Sequence, residues 1–401
     1  MITPEQIKEI SLKTPAKIVL LVLDGLGGMP HPETGKTELE TARTPYLDKL
    51  VQVSTCGLID TVSPGITPGS APVHLGLFGY DPTTCVIGRG VLESLGIDFD
   101  LHKTDIAARG NFCTIDKNGN VIDRRAGRIS TEKCIELSKL LSNIKIKGVQ
   151  IIVQPVKEHR FALILRGKEL SPAVSETDPQ LTGVAPKQAE YLLPEAQATV
   201  GIINEFISMA REVLVNHHPA NMVLLRGFAQ IPEIPTMNEL YQLNPAAIAS
   251  YPMYRGLAKL VGMKVLNTGS SVEEEITALG SNYTDHDFFF VHVKKTDSAG
   301  EDGDFDRKVK AIEEVDALIP RLVALKPEVI VITGDHSTPA VLKGHSWHPV
   351  PVLLYSPSCR PDNITHFSEK SCISGGLGRF PARELILLMM AHARKFTKFG
   401  A

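Results

Sequence analysis

The chain has 401 residues, of which 43% are hydrophobic and 22% are charged, and its formal net charge at pH 7 is −3. These values are typical of a globular protein with two domains, and they offer no basic surface of the kind that binds nucleic acid. No apolar run approaches the ~20 residues needed to span a bilayer, and residues 1–6 do not begin a secretory signal, so we expect a cytoplasmic protein that does not enter the membrane.

The first part of the chain predicts strands and helices in alternation. An apolar run at 17–23 is predicted to be a strand, and a loop rich in glycine and proline follows it. A helix is expected to begin at Pro45, because proline is favoured at the first helical position. A second strand near 57–62 leads into another loop, after which Thr67–His74 opens a short helical stretch.

Residues 101–235 show a different pattern, in which short strands pair through turns. The predicted hairpins join 111–115 with 121–122 and 149–156 with 160–166. A long amphipathic helix is predicted at 195–216. Antiparallel pairs covered by a helix indicate an inserted α+β domain.

Strands and helices alternate again in the second half of the chain. The predicted elements are helix 244–261, strand 263–267, helix 271–282, strand 287–293, helix 304–325, strands 328–333 and 350–355, and helix 381–397. This alternation is typical of βαβ units in a mostly parallel sheet flanked by helices. We therefore predict a discontinuous α/β domain, formed by 1–100 and 236–401, into which the domain 101–235 is inserted.

Three of the predicted strands lead into acidic residues. The strands end just before Asp24, before Lys294-Lys295-Thr296-Asp297 and before Gly334-Asp335-His336. In an open α/β sheet such strand ends converge, and carboxylates without a counter-ion would repel one another there. An aspartate after a strand is often only a helix N-cap, but three of them, one followed directly by a histidine, favour a metal site.

Other residues could complete such a site. Ser70 lies where backbone N–H groups and the helix dipole favour an anion. In isolation it is better explained as an N-cap, whereas beside a metal its hydroxyl could act as a nucleophile. Glu301 follows Asp297 by four residues, so both would lie on one face of a helix. One of two histidines in a loop rich in glycine and proline, His345 or His348, could be a further ligand.

Basic residues in the inserted domain are suited to a small, multiply charged anion. Guanidinium groups bind carboxylate and phosphate through paired hydrogen bonds, although surface ion pairs explain some of these arginines. Arg226 is the most distinctive, because it ends an apolar strand and precedes a glycine. The segments concerned are Asp123-Arg124-Arg125-Ala126-Gly127-Arg128, His159-Arg160, Arg166 and Leu224-Leu225-Arg226-Gly227.

Taken together, the motifs resemble the cofactor-independent phosphoglycerate mutases of the archaeal type, a family of the alkaline phosphatase superfamily. The resemblance covers essentially the whole chain. The motifs that carry it are Val22-Leu23-Asp24-Gly25-Leu26-Gly27, Ala42-Arg43-Thr44-Pro45, Pro68-Gly69-Ser70, Gly79-Tyr80-Asp81-Pro82, Gly88-Arg89-Gly90, Asp123–Arg128 and the segments around Asp297 and Asp335.

The resemblance implies an alkaline-phosphatase-like catalytic domain that binds two divalent ions, manganese or magnesium, and needs no 2,3-bisphosphoglycerate. One ion would be held by Asp24, Ser70, Asp335 and His336, and the other by Asp297, Glu301 and His345. The family usually has a histidine where this chain has Glu301. Because a carboxylate is a harder ligand, we expect a preference for magnesium or manganese over softer ions.

The resemblance also implies a reaction, the interconversion of 3-phosphoglycerate and 2-phosphoglycerate in glycolysis and gluconeogenesis. Ser70 would accept the phosphoryl group and return it to the other oxygen of glycerate. A hinged inserted domain would exclude water during the transfer. The residues that would hold glycerate are Asp123, Arg124, Arg125, Arg128, His159 and Arg226.

Two alternative interpretations are open. A phosphatase, a sulfatase or a homoserine-kinase-like branch of the same superfamily would share the metal ligands without needing the arginines. A non-catalytic protein that binds phosphate would lack the nucleophile or the ligands, whereas Ser70, Asp24, Asp335 and His336 are all present.

Overall fold

The computed structural model describes residues 2–85 and 87–400. The chain divides into two compact units, the first formed by Met1–Val86 and Ile234–Ala401 and the second by Ile87–Glu233. The sequence prediction placed residues 87–100 in the first unit, but they belong to the second, because the helix Arg89–Gly96 packs on its strands. Residues 234–235, which were predicted to end the inserted domain, belong to the first unit. Met1, Val86 and Ala401, which fall within the predicted ranges, lie outside the described residues. No helix in the described ranges is long and apolar enough to cross a membrane.

The first unit begins with short helices and two strands. They are α1 (Pro4–Ile10), β1 (Ile18–Leu23), α2 (Glu38–Thr41), α3 (Pro45–Val51), β2 (Thr55–Asp60) and α4 (Ser70–Leu77). Helix α2 starts with a capping box, in which the side chains of Thr37 and Glu40 each accept a backbone N–H. Helix α3 begins at Pro45, as predicted.

The second unit is an antiparallel sheet covered by helices. Its elements are α5 (Arg89–Gly96), β3 (Ile106–Ile115), β4 (Val121–Asp123), α6 (Thr131–Leu141), β5 (Val149–Lys157), β6 (Arg160–Gly167), α7 (Gln197–Leu214) and β7 (Met222–Ala229), with 3₁₀ turns at Ala126–Arg128 and Pro194–Ala196. Both predicted hairpins and the long helix are present. Strand β3 pairs with β4, β6 and β7, and β5 pairs with β6. Apolar residues of α6 and α7 form one core with the sheet.

The remaining elements of the first unit follow residue 234. They are α8 (Met237–Tyr241), β8 (Pro245–Ala249), α9 (Pro252–Leu260), β9 (Lys264–Val265), α10 (Val272–Ser281), β10 (Phe288–Val293), α11 (Lys295–Asp302), α12 (Phe305–Asp316), α13 (Ile319–Ala324), β11 (Val329–Thr333), β12 (Val350–Tyr355), α14 (Glu369–Cys372), β13 (Gly378–Pro381) and α15 (Leu385–His392), with a 3₁₀ turn at Ala382–Glu384. The prediction of one helix over 244–261 was wrong. Its first part forms the buried strand β8 because pairing with β10 outweighs the helix propensity of its alanines. The helix predicted at 304–325 is interrupted at residues 317–318, between α12 and α13, because Pro320 in the first turn of α13 has no N–H to donate to the carbonyl oxygen of Asp316.

Eight strands form the sheet of the first unit, in the order β13-β2-β12-β11-β1-β10-β8-β9. The central strand β1 runs parallel to both β10 and β11, and β12 is antiparallel to β11 and β2. All residues of the three central strands β1, β10 and β11 are buried, as expected where helices cover both faces of a sheet. The predicted α/β fold with a mostly parallel sheet is confirmed. The pairing of Leu23 with Val293 and of Val22 with Thr333 brings the carboxyl ends of the three strands to one edge.

Candidate active site

The carboxyl ends of β1, β10 and β11 bring together the acids that the sequence selected. Asp24, Asp297 and Asp335 are each at most 1% exposed. His336 lies among them, with Nε2 3.4 Å from Asp24 Oδ1 and 3.2 Å from Asp335 Oδ2. Its other ring nitrogen, Nδ1, is 3.9 Å from Asp297 Oδ1. One imidazole therefore approaches all three carboxylates.

Backbone and hydroxyl groups fix the orientation of these acids. Asp335 Oδ1 accepts hydrogen bonds of 2.9 Å from the backbone N–H groups of Gly25 and His336. Thr338 Oγ1 donates to Asp297 Oδ1 at 2.7 Å. Gly25 has a φ of +66°, and a Cβ there would lie 2.6 Å from Thr338 Oγ1 and 2.9 Å from Asp297 Oδ1. Only glycine lets the loops after β1 and β11 approach this closely.

The hydroxyl of Thr338 also determines which nitrogen of His336 carries the proton. Because its single proton is donated to Asp297, Thr338 Oγ1 acts as an acceptor toward His336 Nδ1, which is 2.9 Å away. Burial holds the pKa of His336 well below its usual value, so the ring is neutral and Nε2 carries a lone pair. That lone pair is directed toward Asp24 and Asp335, an arrangement that a bound cation would stabilise.

One ammonium group lies in the cluster. Lys294 Nζ donates to Asp24 Oδ2 at 2.9 Å and also to Asp297 Oδ2, and Tyr254 donates its hydroxyl to Asp24 Oδ2 at 2.5 Å. Burial opposes ionisation of Asp24, but Lys294 and His292 hold its pKa well below the usual range. Sequence reasoning did not select Lys294, although it directly follows β10. Tyr254 could not be recognised from the sequence, because it lies in α9 and reaches Asp24 only in the folded chain.

The cluster retains unsatisfied negative charge. Asp24 Oδ1 and Asp335 Oδ2 are buried and have no hydrogen-bond partner among the described residues. Burial and the neighbouring Asp24 raise the pKa of Asp335 well above its usual range, as expected where carboxylates outnumber cations. Buried oxygen and imidazole ligands of this kind fit a divalent cation. Two groups bring their ligand atoms within 4.8 Å of one another, namely Asp24 with Asp335 and His336, and Asp297 with His336 and His345.

His345 belongs to the second of these groups. Its Nε2 lies 3.6 Å from Asp297 Oδ1, and its ring stacks on that of His336 at a centroid distance of 3.7 Å. Its Nδ1 lies 2.9 Å from the carbonyl oxygen of Pro68, so Nδ1 carries the proton and Nε2 is free to bind a cation.

The surroundings of His345 are open to solvent. Glu301 lies outside both groups, with a side chain that is 56% exposed and an Oε1 atom 4.0 Å from His345 Nε2. Trp347 is 52% exposed, and its indole stacks on His348 at a centroid distance of 5.0 Å. His348, the second histidine of the loop, is in neither group.

Ser70 is the first residue of α4. The N-cap is Gly69, so the interpretation of Ser70 as the capping residue does not hold. Its Oγ lies 3.4 Å from His336 Nε2. One turn later, His74 Nδ1 lies 2.8 Å from the carbonyl oxygen of Ser70 and 3.5 Å from Asp335 Oδ2. The hydroxyl is therefore half-buried at the edge of the acidic cluster and at the start of a helix, where an anion is favoured.

In the second unit, two of the selected arginines form ion pairs. Arg124 donates two parallel hydrogen bonds to Asp178, at 2.9 and 2.7 Å. Arg226 donates to Glu176 at 3.2 Å and lies 3.8 Å from Asp178. These contacts are the ion pairs that the sequence left open as an alternative explanation.

The turn after β4 presents two further arginines. The carboxylate of Asp123 accepts the backbone N–H groups of Arg125, at 2.8 Å, and of Gly127. Ala126, Gly127 and Arg128 all have positive φ values, between 45° and 61°. Strained backbone of this kind is found mainly at functional sites. Asp123 thus shapes the turn that carries the exposed side chains of Arg125 and Arg128.

The pKa of the buried histidine His159 is lowered, in part by the positive charge of nearby arginines. Burial, then Arg160, Arg109, Arg125 and Arg128, lower the pKa of His159 to about 4. His159 is therefore neutral at pH 7. The four guanidinium groups lie close enough to disfavour one more positive charge, and an anion would be attracted to the same place.

Arg109 was not selected from the sequence. It lies in β3 directly opposite Arg226 of β7, and its Nε is 3.7 Å from Glu93 Oε1. Arg160 is 4.0 Å from the same carboxylate oxygen. A signal was present, because Arg109 is the one charged residue in strand β3.

This is an α/β enzyme with a buried group of acids and imidazoles suited to divalent cations beside a serine at a helix start. The family profile of 2,3-bisphosphoglycerate-independent phosphoglycerate mutase matches residues 52–221. The chain belongs to this family, because it is 51% identical to a probable 2,3-bisphosphoglycerate-independent phosphoglycerate mutase of Aquifex aeolicus over 98% of this chain and 99% of that protein. A protein of Thermus thermophilus with the same description is 49% identical, with 98% of each chain covered. The resemblance identified in the sequence is confirmed.

Solved structures agree with this assignment. The PH0037 protein from Pyrococcus horikoshii has a TM-score of 0.83 and 30% identity, and the match covers 97% of this chain and 100% of that one. A cofactor-independent phosphoglycerate mutase from Thermoplasma acidophilum has a TM-score of 0.72 and 30% identity, with 94% and 100% covered.

Proposed function

We propose that this protein interconverts 3-phosphoglycerate and 2-phosphoglycerate in the cytoplasm, in glycolysis and gluconeogenesis and without 2,3-bisphosphoglycerate. Membership of the family supports the substrate. The observation that carries the proposal is the position of Ser70 Oγ, 3.4 Å from His336 Nε2 and beside two unpaired buried carboxylate oxygens. A serine in such surroundings can take up a phosphoryl group.

The proposal assigns two divalent ions to the cluster. Asp24, Ser70, Asp335 and His336 would hold one ion, and Asp297, Glu301 and His345 would hold the other. When bound, such ions lower the pKa of a coordinated hydroxyl and neutralise charge on phosphoryl oxygens. The oxygen-rich ligand set is suited to manganese or magnesium. Glu301 would have to turn toward His345 to take part.

The residues of the chain then carry the transfer in two steps. Ser70 loses its proton and attacks the phosphorus of 3-phosphoglycerate, while the bond to the 3-oxygen breaks and that oxygen takes up a proton. The 2-hydroxyl of glycerate next loses its proton and attacks the phosphorus, while the bond between phosphorus and Ser70 Oγ breaks. Oγ takes up a proton, which restores the Ser70 hydroxyl. The positive charge of Lys294 and the N–H groups at the start of α4 compensate the negative charge of the phosphoryl group.

The proposal assigns glycerate to the basic residues of the second unit. A mutase has to retain glycerate between the two transfers, whereas a phosphatase releases its product after one. Arg125, Arg128 and His159 are the candidates whose surroundings are most positive. Arg124 and Arg226 would have to exchange their acidic partners for the carboxylate of the substrate, and Asp123 would act through the turn that it shapes.

The test is a product assay with 3-phosphoglycerate and Mn²⁺. ³¹P NMR distinguishes 2-phosphoglycerate from inorganic phosphate, and we expect 2-phosphoglycerate as the main product. Chelation should abolish turnover, and Mn²⁺ or Mg²⁺ should restore it. Release of inorganic phosphate alone would indicate a phosphatase, and full activity in exhaustively chelated protein would contradict the metal assignment.

A further inference from the structure

Helix α12 carries a lysine with a fully buried ammonium group. Lys308 Nζ donates to the carbonyl oxygens of Gly27 and Thr338, each at 2.9 Å. Its third contact is Glu38 Oε1 at 3.8 Å, and this buried carboxylate also accepts the backbone N–H of Ala340 at 2.7 Å. The ammonium thus donates two hydrogen bonds to carbonyl oxygens, and the carboxylate of Glu38 lies within ion-pair distance.

The two carbonyl groups belong to the loops that hold the candidate metal ligands. Gly27 lies three residues after Asp24, in the loop that follows β1, and Thr338 lies two residues after His336, in the loop that follows β11. The carbonyl oxygen of Gly27 also accepts the N–H of Thr338 at 3.0 Å. Because the hydroxyl of Thr338 contacts both Asp297 and His336, Lys308 binds the backbone of the residue that orients them.

Stability alone does not explain a lysine at this position. Moving an ammonium group out of water is unfavourable, and well-packed apolar side chains commonly replace a buried ion pair without loss of stability. Glu38 Oε2, moreover, is buried and has no hydrogen-bond partner among the described residues. The feature that an apolar side chain could not reproduce is the link between the two carbonyl groups.

We infer that Lys308 is a positioning residue for the cation site, because it fixes the spacing between the loop of Asp24 and the loop of His336. The inference rests on the proposed function. Residues that orient metal ligands from outside the ligand set change metal affinity or activity by about 10- to 100-fold when they are lost.

The chain offers a matched control. Lys395 is also fully buried, and its Nζ donates to the carbonyl oxygen of Thr14 at 2.8 Å and to Asp287 at 3.1 Å. Asp287 directly precedes β10, whereas the cluster lies beyond the end of that strand. Lys395→Met therefore removes a buried ammonium group at the opposite edge of the same sheet.

The experiment compares Mn²⁺ binding by wild type, Lys308→Met and Lys395→Met in the full chain. Dissociation constants are measured by titration calorimetry without substrate, and circular dichroism verifies that each protein is folded. We expect the affinity of Lys308→Met to fall by about 10- to 100-fold and that of Lys395→Met to stay within about twofold of wild type. The double variant Lys308→Met/Glu38→Gln removes the unpaired carboxylate as well, and it should bind Mn²⁺ as weakly as Lys308→Met.

The outcomes separate this inference from the proposed function. Equal Mn²⁺ affinities of wild type and Lys308→Met would overturn the inference and leave the proposed metal site intact. Equal losses of affinity in Lys308→Met and Lys395→Met would also overturn the inference. If Lys308→Met does not fold, the Mn²⁺ affinity of the double variant Lys308→Met/Glu38→Gln is compared with that of wild type instead, and equal affinities would overturn the inference. Wild-type protein that binds no Mn²⁺ would instead refute the proposed metal site, and the inference with it.

Discussion

The acidic cluster of the first unit and the basic residues of the second both carry an excess of one charge, but they hold it differently. Asp24, Asp297 and Asp335 are almost completely buried, and Lys294 is the ammonium group among them. Arg125 and Arg128 are exposed, and water screens their charge. A buried excess requires a permanent counter-ion, whereas an exposed excess requires none and can take up and release an anion. The acidic cluster is therefore suited to a cation that stays bound, and the exposed arginines are suited to an anionic substrate that binds and leaves.

The strongest test of this division is Ser70→Ala, which leaves both charge excesses in place and removes the proposed nucleophile, a hydroxyl that is also a proposed ligand of one ion. We expect the rate of 2-phosphoglycerate formation to fall by at least about 10⁴-fold, as when other serine nucleophiles are lost. Stability should change little, because Gly69 is the helix cap. Ser63→Ala, in the exposed part of the same loop, is the control. Turnover by Ser70→Ala would show that the nucleophile is another group.

Burial of His159 and the positive charge of the arginines around it should make the stability of the second unit depend on pH. The pKa of His159 is lowered to about 4, so between pH 6.5 and 4 the unfolded chain binds a proton that the folded chain does not. Stability of the second unit therefore falls as the pH drops through this window, by at most about 3 kcal/mol. Urea unfolding at pH 7.5 and 4.5 measures it. His159→Gln should lose this part of the pH dependence and exposed His102→Gln should keep it, whereas equal pH dependence in wild type and His159→Gln would exclude the assignment.

Replacement of a paired arginine tests whether ion pairs of the second unit yield to substrate. Arg226→Ala removes a charge-assisted contact worth roughly 2 kcal/mol, or about 30-fold. We expect the rate of 2-phosphoglycerate formation to fall by that factor and the share of inorganic phosphate to rise, because glycerate escapes between the two transfers. Arg166→Ala is the control, since Arg166 forms a similar pair with Asp105. A product ratio and rate equal to those of wild type would show that Arg226 serves only its ion pair.

The smallest expected effect concerns the open side of the acidic cluster. Glu301→His replaces a carboxylate with an imidazole, and a softer ligand favours softer ions. We expect the ratio of Co²⁺-supported to Mg²⁺-supported activity to rise by a few-fold. The same change at exposed Glu314, which pairs with Lys295, should leave the ratio unchanged. An unchanged ratio in Glu301→His would mean that Glu301 is not a ligand.

The sequence predicted the central strands and the acids that follow them, because apolar runs and strand ends are properties of the local sequence. It did not predict β8, since its alanines favour a helix until β10 provides a partner. It also missed Tyr254, whose hydrogen bond to Asp24 depends on the position of α9. The ion pairs of the arginines were not predictable either. Asp178, the partner of Arg124, lies in a long connection without periodicity, and its contacts exist only in the folded unit.

The loop of His345 has a consequence for spectroscopy. Trp347 is the only tryptophan of the chain and lies two residues after His345. With its indole half-exposed and stacked on His348, its emission depends on the polarity and order of this loop. Paramagnetic Mn²⁺ bound nearby would quench that emission, whereas diamagnetic Mg²⁺ would not. The protein thus has an intrinsic fluorophore next to the candidate cation site, and occupancy of the site can be followed in the wild-type chain without an attached label.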